Sequence, residues 1–130
     1  MHVFVAVLLA SMLINYNPAN AEFSSKGVIH TVFLWLKEPK NDQHRHQLLR
    51  ASDQLRAIPG VVDIRYGETI ASDRAIVDDS FHVGIYIYFS DVEAMNRYIV
   101  HPRHKRLVEQ ALKPIVDRIV VYDFHDVVIK

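Results

Sequence analysis

Residues 28–36 read VIHTVFLWL. Only His30 and Thr31 are polar in this run. β-Branched and aromatic side chains dominate it, the composition of a strand. Side chains alternate across a strand, so His30, Val32, Leu34 and Leu36 share one side, with Ile29, Thr31, Phe33 and Trp35 on the other. Both sides are apolar, and such a strand has to be covered on both faces. Residues 81–89, FHVGIYIYF, repeat the pattern, with His82, Gly84, Tyr86 and Tyr88 opposite Phe81, Val83, Ile85, Ile87 and Phe89.

The segments between and beyond these strands set the topology. Pro39 closes the first strand, and Asn41 and Asp42 offer a helix cap. Leu48, Leu49, Leu55 and Ile58 then recur at helical spacing up to the Pro59-Gly60 stop. Residues 61–69 form a second strand and residues 70–80 a polar loop. Ser90, with Glu93 three residues on, has the form of a capping box, and Met95, Tyr98 and Ile99 give the helix that follows its apolar stripe. His101 precedes a proline and is biased away from helical angles, whereas Pro102 suits a first helical turn, so the helix is predicted to bend and restart. Residues 119–128 form the last strand.

The order β-α-β-β-α-β predicts an α+β, ferredoxin-like fold, a four-stranded antiparallel sheet with both helices on one face. The other face would then be bare, and a soluble monomer rarely exposes so large an apolar patch. A homodimer packed sheet on sheet resolves this, with an interface of about 1,600 Å² or more.

At 130 residues the chain is one domain. Residues 1–21 read MHVFVAVLLASMLINYNPANA, an apolar run too short for a membrane span followed by the small-x-small pattern Ala19-Asn20-Ala21. A signal peptide over 1–21, cleaved near Ala21, is expected, giving a periplasmic or secreted protein with a short arm at 22–27. There is no cysteine, hence no disulfide or thiol ligand. Fifteen basic residues balance fifteen acidic ones, which argues against nucleic acid as a partner. The basic cluster 103–106 reads as a solvated helix start.

Taken together, IHTVFLWLK, IPGVVDIRYG, FHVGIYIYF, YIVHPRHKRLVE and IVVYDF resemble the stress-responsive A/B barrel family, Dabb, over residues 28–126. The resemblance implies ferredoxin-like units whose sheets pair into a dimeric α+β barrel. Most members of that family have no established reaction. Its plant cyclases close a linear polyketide thioester by intramolecular aldol condensation and need no cofactor. Similarity to them implies that Tyr98 and His104 are catalytic, and that His30 and His82 line the same site from the helix-facing side of the sheet.

The residues themselves leave more than one reading open. A neutral imidazole with a pKa of about 6.5 takes an acidic proton beside a carbonyl, and a phenol holds the resulting enolate. Six residues on an unbroken helix would turn Tyr98 and His104 apart, so only the bend at Pro102 brings them to one pocket. Against this, Tyr98 suits a core aromatic and His104 a helix anchor. His82, Gly84 and Tyr86 are candidate substrate-binding residues, Gly84 leaving room between the other two, and His30 and His101 join them. His30 and His82 are expected toward opposite ends of antiparallel strands. His101 and His104 lie three apart, but no third ligand accompanies them, so no metal site is expected.

Three functions fit. The first is an exported dimer binding a small, largely apolar ligand between sheet and helices, with or without cofactor-free cyclase- or lyase-like acid–base chemistry. The others are a non-catalytic, stress-associated structural dimer and a cofactorless monooxygenase.

Overall fold

The computed structural model describes residues 23–129, with side chains from Gly27 onward; the expected signal peptide lies outside the described residues. Strand β1 spans Phe23–Leu36, helix α1 Asp42–Asp53, β2 Val61–Glu68, β3 Val83–Phe89, α2 Val92–Val100, α3 Pro102–Leu107 and β4 Val116–Ile129. A 3-10 turn, Gln54–Ala57, extends α1, and a π-helical turn, Val108–Leu112, with a last helical turn, Lys113–Ile115, extends α3. All strand pairs are antiparallel, in the order β2-β3-β1-β4. This is the ferredoxin-like arrangement, with the helices on one face.

Local chemistry places the elements. The Asn41 side chain accepts from the His44 amide and starts α1. Leu48 and Leu55 face the sheet, and the fully buried Ser52 hydroxyl donates to the Leu48 carbonyl at 2.8 Å, so no polar group is stranded there. Gly60, at φ +96°, turns the chain into β2. Asp91, not Ser90, caps α2, accepting from the Ala94 amide at 2.7 Å; the expected Ser90–Glu93 capping box is corrected by one residue. A carboxylate is as good a cap as a hydroxyl, and Asp91 stands three residues before the free Ala94 amide.

Two strands are longer than their apolar runs suggested. β1 starts at Phe23, so from there the expected arm at 22–27 is part of the sheet, paired with the end of β4. β4 begins at Val116.

The core lies between sheet and helices. β1 contributes Val28, Leu34 and Leu36, β3 contributes Val83, Ile85, Ile87 and Phe89, and Ile64, Met95 and Leu112 fill the space between them and the helices. The other face carries Phe33 and Trp35 from β1, Tyr86 and Tyr88 from β3, and Val120 and Tyr122 from β4; the registers Thr31–Tyr86 and Phe33–Val120 place them together. Phe81, just before β3, packs on both Phe33 and Trp35 at ring distances of 4.9 and 6.4 Å. Helices do not cover this aromatic face.

Candidate functional site

The break between α2 and α3 builds the site. His101 has ψ 138°, which ends α2, and Pro102 restarts the helix. The turn leaves backbone groups without their helical partners. The Arg103 amide donates to His101 Nδ1 at 3.1 Å, and His104 Nδ1–H donates to the Ile99 carbonyl at 2.9 Å. That second bond folds the His104 ring back over α2, 4.6 Å from the Tyr98 ring. The bend therefore brings together two side chains that a straight helix would separate.

Tyr98 and His104 line one cavity of about 320 Å³ beneath α2 and α3. His30 of β1 faces it as well, its ring 6.0 Å from that of Tyr98. Aliphatic side chains, among them Val32, Ile85, Leu107 and Leu112, form most of the wall. Ile119 and Val121 of β4 border it on the helix-facing side and are 46% and 44% exposed, because α2 and α3 do not reach over this edge strand. The polar groups of the lining are His30, Tyr98, His104 and Asp123.

Their environments differ. Tyr98 is 2% exposed, and burial pushes its phenol well above the usual range, so it stays protonated and can donate. His104 is held below the ordinary histidine value, chiefly by burial; the bond to Ile99 opposes this, and charge on His30 and His101 adds to it. At neutral pH the imidazole is therefore neutral. Its Nδ1 proton is given to a carbonyl, which leaves the Nε2 lone pair as an acceptor. A neutral base beside a protonated phenol can take a proton from a bound molecule and stabilise negative charge on its oxygen.

The structure divides the candidate residues. Tyr98, His104 and His30 meet. His82, Gly84 and Tyr86 do not join them, and the expectation that His82 shares the helix-facing side with His30 is corrected. β1 and β3 pair His30 with Ile87 and Phe33 with Gly84, so the odd-numbered residues of β3 face the helices. His82 lies near the far end of β1, as antiparallel strands require, where its Nδ1 accepts from the Leu36 amide at 2.9 Å. Gly84 and Tyr86 line a shallow depression on the opposite, aromatic face. His101 caps α3. Among the described residues no group of three or more His, Cys, Asp or Glu is placed to hold a metal.

One residue of the site escaped the sequence reading. His30 Nδ1–H donates to the Asp123 carboxylate at 2.5 Å across β1 and β4. The signal was parity, since Asp123 pairs directly with His30 and so lies on the same face.

The model of the Stress Responsive A/B Barrel Domain, Dabb, matches residues 28–126. The chain belongs to this family. A Dabb family protein of ferredoxin-like fold from Mesorhizobium loti is 27% identical, with a TM-score of 0.64 over 76% of this chain and 95% of its own. A dimeric ferredoxin-like protein of unknown function from Jannaschia sp. is 25% identical, with a TM-score of 0.54 over 75% of this chain and 97% of its own. The hydroxynitrile lyase of Passiflora edulis shares the fold, with a TM-score of 0.67 at 20% identity over 79% of this chain and 95% of its own. No curated protein matches the chain by sequence. No helix among the described residues is long and apolar enough to cross a membrane.

Proposed function

We propose that this Dabb protein is an exported homodimer that admits a small, largely apolar carbonyl compound or hydroxynitrile to the cavity under α2 and α3. There it moves a proton without a cofactor, in a lyase- or cyclase-like reaction. The observation that carries the reading is the pairing of a neutral imidazole with a protonated phenol, rings 4.6 Å apart, in one apolar cavity. In a lyase-like turn His104 Nε2 takes the hydroxyl proton of a hydroxynitrile. The C–CN bond breaks, its electron pair leaves with cyanide, and the imidazolium returns the proton to the leaving group. Tyr98 donates a hydrogen bond to the oxygen as it becomes a carbonyl. In a cyclase-like turn the same base takes a proton beside a carbonyl, and Tyr98 steadies the enolate oxygen.

Dimerisation is supported by the uncovered aromatic face of the sheet and by the dimeric state of the Jannaschia protein. Export is supported by the apolar run and small-x-small pattern of residues 1–21.

The test uses mandelonitrile as probe, following benzaldehyde release by absorbance with wild type and His104→Ala. Turnover that disappears in His104→Ala, with the melting temperature little changed, supports the reading. If wild type neither binds nor cleaves the probe and His104→Ala unfolds much more readily, the histidine is a structural anchor and the proposal fails.

A further inference from the structure

Arg103 and Arg106 lie three apart on α3 and line a groove of about 370 Å³ between α3 with its π-helical extension and α1. Gln54 and Gln110 add two side-chain amides, and Ala51 and Ala111 form part of the floor. Among the described residues neither arginine has a carboxylate partner, whereas Arg45 pairs with Asp42 and Glu68, Arg56 with Asp53 and Arg65 with Asp63. Arg50, Arg74, Arg97 and Arg118 are unpaired too among the described residues, but none of them lines this groove. The acids next to the groove are engaged elsewhere. Asp53, beside Gln54, accepts from the Tyr66 hydroxyl at 2.8 Å, and Glu109, beside Gln110, accepts from Lys113 at 2.5 Å. Two like charges at this helical spacing repel each other, and an anion between them removes that cost.

We propose that this groove is a binding site for a small oxyanion, a phosphate or carboxylate group, separate from the cavity beneath α2 and α3. Guanidinium forks match the oxygens of such a group geometrically, and the two amides supply further donors. A concave site with two arginines, on a chain whose fifteen basic residues are balanced by fifteen acidic ones, suits a compact anion better than a nucleic-acid or membrane surface. The site does not depend on the reaction assigned to the cavity. It shares with the cavity one wall residue, Leu107, and neighbouring residues of α3, its π-helical turn and the 3-10 turn after α1.

The experiment titrates the full chain with inorganic phosphate, pyrophosphate and citrate, reading affinity by calorimetry and the arginine Nε–H resonances by NMR. The expected result is saturable binding, one anion per chain, that moves the Arg103 and Arg106 signals. Arg103→Gln and Arg106→Gln should each weaken it by about tenfold or more without lowering the melting temperature measured in the absence of anion, since each change removes the repulsion between the two arginines. Phosphate and pyrophosphate binding without citrate would identify a phosphate site, and the converse a carboxylate site. Absence of saturation, or equal shifts over all surface arginines, would overturn the proposal. Tighter binding of heparin or anionic vesicles than of any small anion, through the same two residues, would overturn it as well.

Discussion

His30 Nδ1 stands 2.5 Å from an Asp123 carboxylate oxygen, joining two paired strands, β1 and β4, at a point on the wall of the cavity. The histidine is 7% exposed, so its ring proton has no easy substitute partner if the carboxylate is lost. The aspartate side chain is 42% exposed, and water reaching its place would soften the loss. Asp123→Ala should therefore destabilise the protein by about 1 kcal/mol, the lower end for stranding a buried donor. Asp123→Asn, which keeps an acceptor oxygen, should cost less. Urea unfolding of the two variants checks both values; equal costs would show that the hydrogen bond does not matter.

The lowered pKa of His104 makes stability depend on pH in a stated direction. In the unfolded chain the imidazole titrates near its ordinary value of about 6.5, and in the folded protein it titrates lower. Above that ordinary value both states are neutral and the contribution is complete. As pH falls the unfolded state takes up the proton first, so stability is lost from about pH 6.5 down through the folded pKa and levels off below it. Denaturant midpoints measured from pH 7.5 to pH 5 should fall in wild type and fall less steeply in His104→Gln. Parallel curves would mean that burial does not hold the imidazole neutral.

Residues such as Trp35 and Ile85 show how far a sequence defines this fold. Element order and the uncovered sheet face follow from composition, because strands apolar at nearly every position have few alternatives. The side each residue takes does not follow. In residues 81–89 both alternating sets are apolar, so alternation carries no sign, and only pairing with β1 shows that Ile85 faces the helices and Gly84 and Tyr86 do not. The meeting of Tyr98 and His104 was conditional on a bend that Pro102 made legible. Asp123 carries only a parity signal, which becomes readable once the register of β1 and β4 pairs it with His30, 93 positions away in the chain.

That correction separates two variants of the sheet. Trp35 lies on the aromatic face, stacked under the Arg118 guanidinium at 4.4 Å, whereas Ile85 is buried in the core. Trp35→Glu should leave a folded chain that sediments as a monomer. Ile85→Glu should unfold it, because a carboxylate would be buried without a partner. Sedimentation velocity together with far-ultraviolet circular dichroism distinguishes the outcomes. A Trp35→Glu protein that still sediments as a dimer would place the interface elsewhere.

Gly60 connects α1 and its 3-10 extension to β2 at φ +96°, and an added Cβ would stand 3.2 Å from the Ala94 Cβ. Gly60→Ala therefore meets both an unfavourable backbone region and a tight neighbour. A loss of about 1–2 kcal/mol is expected in urea unfolding. Gly67, whose Cβ would meet nothing within 4 Å, is the control, and Gly67→Ala should change stability far less. Equal effects would show that the turn can relax around the new methyl group.

Tyr98→Phe separates packing from chemistry. The ring would keep its place 5.0 Å from Phe89 and 4.6 Å from His104, so the core remains filled. Burial alone raises the phenol pKa, and among the described residues no side chain bonds to the Tyr98 hydroxyl, so deleting the oxygen should strand no partner, and stability should change by less than about 1 kcal/mol. Turnover of mandelonitrile, by contrast, loses the group that donates to the reacting oxygen. A fall of roughly a hundredfold or more in kcat is expected, as for removal of one donor from an oxyanion site. If Tyr98→Phe keeps full kcat while His104→Ala abolishes it, the phenol only packs, and the base acts with another donor in the cavity.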